Sequence, residues 1–156
     1  MNTLILYASK HGAAREIARR IAESMNGAAL HDLKQAGLPP LARFDCVIIG
    51  SSLYAGMIRK EAKEYLTQNA DALGEKRLGL FLCGMDGGRE KEYFEGNFSP
   101  DILASAKSAA FLGGIFDPKK AGAAGRLIMK AAAGQSGYAD TIDDGKIKGF
   151  AEVMGA

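Results

Sequence analysis

Three short stretches of the chain carry residues that could hold a ligand. The first is Ser9-Lys10-His11-Gly12-Ala13-Ala14, between the apolar run Leu4 to Tyr7 and a helical pattern of Ile17, Ala18, Ile21, Ala22 and Met25. A loop in that position is a helix N-terminus, and its free backbone N–H groups and helix dipole attract an anion. Ser9 adds a hydroxyl, and Gly12 lets the backbone turn closely around a phosphate. Without such a ligand the same residues make an ordinary strand-to-helix turn. The second stretch, Ser51-Ser52-Leu53-Tyr54-Ala55-Gly56, sets two hydroxyls, one aromatic ring and a glycine directly after a strongly apolar segment. That mixture suits a flat aromatic ligand stacked on Tyr54 and hydrogen-bonded at its edge, or else a solvent-facing turn with a half-buried tyrosine. The third, Gly84-Met85-Asp86-Gly87-Gly88, offers unobstructed backbone groups to polar ring atoms, although Asp86 is equally suited to a turn.

A different chemistry runs through the same third stretch. Cys83 and Arg89 stand at the C-x5-R spacing of low-molecular-weight phosphatases, where a thiolate attacks phosphorus while N–H groups and the arginine hold the oxygens. Against that alternative, Asp86 puts negative charge inside the would-be anion cradle, and Glu90 stands where a hydroxyl residue usually supports the cysteine. Cys46 and Cys83 lie far apart in apolar contexts, with no C-x-x-C or Cys/His grouping that would make a metal site or a disulfide. A magnesium-dependent phospho-receiver is excluded because Ala8 and Ser9 stand where that chemistry needs carboxylates. No G-x-G-x-x-G follows the first strand, which disfavours a dinucleotide fold.

The elements that must position these loops alternate. Leu4 to Tyr7, Ala28 to Leu33, Cys46 to Gly50, Leu78 to Cys83 and Ala109 to Gly113 read as strands. Helical patterns cover Ala13 to Met25, Arg59 to Ala72, Pro100 to Lys107, Ala123 to Ala133 and Lys146 to Met154. Strands separated by helices predict a parallel sheet covered on both faces, with ligands beyond the carboxyl ends of the strands. Gly74-Glu75-Lys76, Gly87-Gly88 and Gly134-Gln135-Ser136-Gly137 read as turns inside one domain spanning residues 1–156. With 156 residues and 47% hydrophobic content, the chain has material for one well-packed domain. Its net charge of +2 gives no global field of the kind that nucleic acid demands. No apolar run approaches the ~20 residues of a membrane span, so a cytoplasmic protein is expected.

In pattern the chain resembles the flavodoxin family, and within it the menaquinone-dependent protoporphyrinogen oxidases. The resemblance is carried by Thr3-Leu4-Ile5-Leu6-Tyr7 leading into Ser9 and Gly12, by Arg15-Glu16-Ile17-Ala18, by Asp45 to Ser52, and by Leu127-Ile128-Met129-Lys130 before Gly134. It implies a three-layer flavodoxin-like α/β fold with a five-stranded parallel sheet in the order 2-1-3-4-5. The rule that places ligands at the switch point of such sheets was itself drawn in part from flavodoxin. The resemblance further implies FMN as cofactor, with Ser9 to Ala14 cradling its phosphate and Ser51 to Gly56 and Gly84 to Gly88 flanking its ring. The chemistry would then be the flavin's own, needing no side-chain nucleophile. Ala13 and Ala14 depart from the family's hydroxyl-rich loop, at a cost of ~0.5–1.5 kcal/mol per missing hydrogen bond unless Lys10 or His11 compensates with charge. The expected partners are a redox protein or a quinone. Arg126 and Lys130, flanking Leu127 to Met129, make a porphyrin substrate and a peripheral membrane contact further expectations, against the alternative of a core-packed helix with solvated charges.

Overall fold

The computed structural model describes residues 1–134 and 137–156. Five strands run parallel: β1 (Thr3–Ala8), β2 (Ala29–Asp32), β3 (Cys46–Tyr54), β5 (Arg77–Cys83) and β6 (Ala106–Phe111). Their spatial order is β2-β1-β3-β5-β6, which is 2-1-3-4-5 when only these parallel strands are numbered. The central strands read as continuous apolar runs because both faces of the sheet are covered. Leu4, Leu6, Val47, Ile49, Leu78, Leu80 and Leu82 point to one side, where they pack with α2 (Lys60–Gln68), α3 (Ala70–Gly74), α4 (Glu90–Asn97) and α5 (Pro100–Ser105). Ile5, Cys46, Ile48, Phe81 and Cys83 point to the other, against α1 (Ala13–Ser24) and α7 (Asp144–Gly155). The sheet's period of two therefore sorts one sequence into two cores.

Several boundaries differ from the sequence reading, each for a local reason. β3 runs through to Tyr54, turns at Ala55 and Gly56 (φ 52° and 76°), and returns as the short antiparallel β4 (Met57–Ile58), with Tyr54 opposite Met57. Two residues of positive φ are what a tight hairpin requires. The last parallel strand covers Ala106–Phe111 rather than Ala109 to Gly113, since α5 stops at Ser105. The run Arg59 to Ala72 divides at Asn69, whose amide donates to the Tyr65 carbonyl at 2.9 Å. Glu90–Asn97 forms a helix whose Tyr93 and Phe94 are buried.

After β6 the chain makes an excursion that sequence periodicity shows only in part. It leaves through β7 (Ile115–Phe116), forms α6 (Pro118–Ala133), and returns through β8 (Ala139–Asp140), which pairs antiparallel with β7. Gly113 and Gly114 anchor its base by close backbone approach: a Cβ at Gly113 would lie 2.0 Å from the Thr141 carbonyl oxygen, and one at Gly114 2.8 Å from that of Gly84. The Thr141 N–H donates to the Gly114 carbonyl at 2.8 Å, and the Gly114 N–H to Thr141 Oγ1 at 3.1 Å. The expected Gly134-to-Gly137 turn includes Gln135 and Ser136, which lie outside the described residues. Gly134 itself, at φ 66°, ends α6. At the far end, Arg77 clamps α7 by donating to the carbonyls of Met154 (2.9 Å) and Val153 (2.7 Å).

Candidate functional site

The loop from Ser9 to Gly12 closes on itself beyond the carboxyl end of β1. The Gly12 N–H donates to Ser9 Oγ at 2.8 Å, and Gly12 sits at φ 100°, a conformation natural only to glycine. The Glu16 N–H already returns to the Gly12 carbonyl at 3.0 Å. The N–H groups of Ala13, Ala14 and Arg15 belong to the first turn of α1 and have no intrahelical acceptor, the arrangement by which a helix N-terminus can attract an anion. Ala14 is fully buried with Ile17 and Ile21. Its methyl packs into the core, so the alanine itself offers an anion only its N–H.

Charge gathers beside the cradle. The Lys10 N–H donates to Ser52 Oγ at 3.3 Å, tying the first loop to the second. Its ammonium lies 3.5 Å from the centroid of the Tyr54 ring, and the Arg59 guanidinium lies 5.9 Å from the same centroid. Burial, together with the positive charges of Lys10, Lys120 and Arg59, holds the His11 imidazole below its usual range, against a smaller opposing effect of Asp117. Lys10, Lys120 and Arg59 are thus the cations, while His11 is biased toward its neutral form.

The two neighbouring serines of the second loop do different work. Ser51 is 2% exposed; its Oγ accepts from the Arg59 N–H at 2.8 Å and donates to the Ser52 carbonyl at 2.9 Å. It braces the β3–β4 hairpin from inside. Ser52 keeps its hydroxyl at the cavity beside Leu53 and Tyr54. Asn97 holds the hairpin from behind, accepting from the Ile58 N–H (2.9 Å) and donating to the Gly56 carbonyl (2.9 Å).

In the third loop the Gly84 N–H donates to the Gly113 carbonyl at 3.1 Å, which brings Gly84 and Met85 against the base of the excursion. Gly87 begins a single 3-10 turn and lies against Phe111, with Asp86 and Gly88 behind it. The phosphatase alternative fails on this geometry. The Cys83 thiol is sealed, its Sγ donates weakly to the Ser51 carbonyl at 3.8 Å, and burial pushes its pKa up to about 12. Arg89 is bound to Glu92 at 2.9 Å and lies over the Tyr93 ring, 5.3 Å from its centroid. Cys83 lies at one cavity and Arg89 at another, so no thiolate cradle forms.

Lys10, His11, Ala13, Ser52, Leu53, Tyr54, Gly84 and Met85 converge on one cavity of about 80 Å³. Ser9 and Gly12 close the cradle beside it, whereas Ala14 and Ser51 support it from within the fold. Ala55 and Gly56 line instead an adjoining cleft of about 630 Å³, together with Met57, Lys63, Arg89 and Tyr93. Sequence reasoning placed neither Cys83, read there as a phosphatase nucleophile, nor Met129, read there as part of an apolar helix side, at this cavity, and it missed Gly114, Ile115, Phe116, Asp117, Ala121 and Gly125, which also close it. The signal for three of these was present, since Ala121, Gly125 and Met129 recur every four residues and share one face of a helix.

A family model described as a flavodoxin domain matches residues 4–141. The chain belongs to the flavodoxin family. Among solved structures the chain is similar to a short-chain flavodoxin associated with a non-canonical PDU bacterial microcompartment, with 18% identity and a TM-score of 0.61 over 99% of this chain and 97% of that one. It is also similar to the flavodoxin of Streptococcus pneumonia TIGR4, with 13% identity and a TM-score of 0.57 over 99% and 97%. Rubredoxin oxygen:oxidoreductase from Desulfovibrio gigas matches with 14% identity and a TM-score of 0.62 over 99% of this chain, which spans 35% of that larger one. No curated protein matches. At these identities the structures speak for the fold. Membership makes this a flavodoxin-like electron-transfer protein with FMN as its cofactor.

The flavodoxin site fits FMN unequally along its length. The cradle of three N–H groups with Lys10 and Lys120 nearby suits a terminal monophosphate. The ring end is tighter: about 80 Å³ remains between Tyr54, Met85 and α6, against the ~300 Å³ or more of pockets for small organic ligands. The groups that narrow it are the Lys10 side chain and α6. Neither belongs to the sheet or to the two cores.

Proposed function

We propose that this flavodoxin-family protein is an FMN-dependent oxidoreductase acting on a bound, carboxylate-bearing substrate such as protoporphyrinogen, with a quinone or a redox protein as acceptor. The observation that carries this reading is the cleft of about 630 Å³ on the far side of the Ala55–Gly56 turn from Tyr54. Its walls are apolar at Met57, Ile58, Ile128 and Ala131; Lys63 stands at it as a cation, while Arg89 is paired there with Glu92 at 2.9 Å. An apolar body with anionic groups matches those walls.

In this reading residues 1–156 form one domain, and the chain's side chains bind and orient. Ser9 and Gly12 shape the cradle, and the N–H groups of Ala13 and Ala14 hold the phosphate with charge from Lys10. Ser52 and Tyr54 on one side, and Gly84, Met85 and the Asp86-to-Gly88 segment on the other, flank the ring. The bound flavin supplies the redox chemistry, taking electrons from the substrate and passing them to the acceptor. Arg126 and Lys130 are exposed on α6, as is Leu127 at 70%, which supports a peripheral approach to a membrane holding the quinone. Among the described residues no helix is long and apolar enough to cross a membrane, and we take the protein to work in the cytoplasm.

The test is turnover of protoporphyrinogen with a quinone acceptor by FMN-loaded protein, measured against the same concentration of free FMN. The expected result is turnover well above free FMN, with a raised KM and unchanged FMN affinity in Lys63→Glu. Turnover no faster than free FMN, with the bound flavin still readily reduced by a flavin reductase, identifies an electron carrier.

A further inference from the structure

We infer that the part of α6 beyond Gly122 is a lid on the flavin-ring cavity, and that its displacement limits the rate at which FMN is taken up. The inference rests on the ring lying between Tyr54 and Met85, as proposed above.

The lid face is Gly125 and Met129, which lie over the cavity with Ala121 and leave it at about 80 Å³. A planar tricycle does not enter that space while Met129 stays where it is. Among the described residues α6 contributes no side chain to either core cluster. Lifting it therefore exposes little apolar surface, in contrast to α1, which buries Ile17, Ala18 and Ile21 completely.

The helix also carries a hinge. Gly122 has φ 69° and ψ 176°, a backbone conformation essentially confined to glycine, and it breaks the helical ladder between Ala121 and Ala123. A Cβ at Gly122 would meet nothing within 4 Å, so the glycine answers a demand of the backbone and not a shortage of room. Before the hinge, the first turn is fixed to the base: the Lys119 N–H donates to Asp117 Oδ1 at 3.0 Å, and the base is locked through Gly113, Gly114 and Thr141. Beyond the hinge the helix runs to Gly134, at φ 66°. A fixed stem, one glycine break and an arm outside both cores localise movement to residues 123–133. The other side of that arm, at Ile128 and Ala131, is a wall of the adjoining cleft. Raising the lid consequently admits the ring and joins its cavity to the cleft.

The experiment is amide hydrogen exchange of the purified, flavin-free full chain with and without saturating FMN, paired with stopped-flow FMN fluorescence. Exchange should slow in residues 9–15 and quicken in residues 123–131 on the same addition, a reversal that uniform tightening cannot produce. The observed uptake rate should level off as FMN concentration rises, since opening comes first. Gly122→Ala, which disfavours the covering geometry at a site with no neighbours, should raise that plateau at least about fivefold. Met129→Ala, which thins the lid, should raise it as well. Protection of 9–15 with unchanged or slower exchange in 123–131, or a Gly122→Ala protein whose uptake is no faster, overturns the lid and leaves the FMN site standing. No protection of 9–15 overturns the site assignment and the lid together.

Discussion

Ser51 and Ser52 are adjacent, chemically identical and both hydroxyl-bearing, yet the structure assigns them different consequences when the hydroxyl is removed. Ser51→Ala deletes the acceptor of the Arg59 N–H (2.8 Å) and the donor to the Ser52 carbonyl (2.9 Å) at a position 2% exposed. No water reaches the vacated spot readily, and Arg59 is the residue that leads into α2, so its amide is left without a partner at the foot of a helix. An orphaned buried donor costs about 1–3 kcal/mol. Taking ~2 kcal/mol, the melting temperature should fall by roughly 4–8 °C for a domain of this size. Ser52→Ala removes only a 3.3 Å contact from the Lys10 N–H, which is exposed and turns to water, so the stability change should stay within about 0.5 kcal/mol. Its effect belongs to the cofactor, a loss of about 2- to 10-fold in FMN affinity for one neutral hydrogen bond. Urea denaturation of the flavin-free variants, followed by FMN titration of each, measures both quantities. A neutral Ser51→Ala, or a Ser52→Ala that is the more destabilising of the two, would refute the division of labour drawn from these bonds.

Two further outcomes follow from close packing and from charge. Gly50 lies under the Phe81 ring, where an added Cβ would fall 1.9 Å from the ring carbon Cζ; Gly50→Ala should destabilise by about 3 kcal/mol or more, and Phe81→Leu should recover part of that loss in the double variant, as read from urea midpoints. The Glu16 carboxyl is held at about 2, chiefly by its hydrogen bonds from Arg19 (2.9 and 3.1 Å) and also from Arg20 (2.8 Å). A depressed carboxylate contributes stability that is complete above its unfolded value of 4.5 and is lost as pH falls toward about 2. Discounted for solvent screening of a side chain 30% exposed, that contribution is about 0.5–1 kcal/mol. Glu16→Gln should lower stability by this amount at pH 7 and flatten the acid limb between those two values, and an unchanged acid limb would count against the network.

The parts of this molecule that the sequence made legible are those where one physical rule dominates. Leu4 to Tyr7 and Cys46 to Gly50 are apolar at every position because both faces are covered, and that alone marks a parallel sheet. Ser9 to Gly12 stands out because a helix must begin somewhere and leaves its amides free when it does. What escaped was set by tertiary context. Nothing in Ser51-Ser52 distinguishes the brace from the lining residue, since the difference lies in where Arg59 returns eight residues later. The hairpin at Ala55–Gly56 hides because alanine at positive φ carries no signature of its own. The reach of α6 over the ring cavity depends on the backbone angle of Gly122, and a glycine among alanines looks like composition until its conformation is known.

The paired backbones at the foot of the excursion bear on how such a protein can vary. Phe116 and Ala139 are cross-strand partners, so the 22 residues from Asp117 to Tyr138 leave and re-enter the fold at one point. At that point the anchoring contacts at Gly113 and Gly114 are made largely by main chain, through the Gly84 and Thr141 carbonyls, and these persist whatever side chains the excursion carries. The segment therefore enters and leaves the fold through one paired foot, while its outer part, α6, contributes no side chain to either core cluster among the described residues. A tight turn joining Phe116 to Ala139 would serve the same architecture. A change confined to the insert would leave the socket, Gly113, Gly114 and Thr141, as it stands.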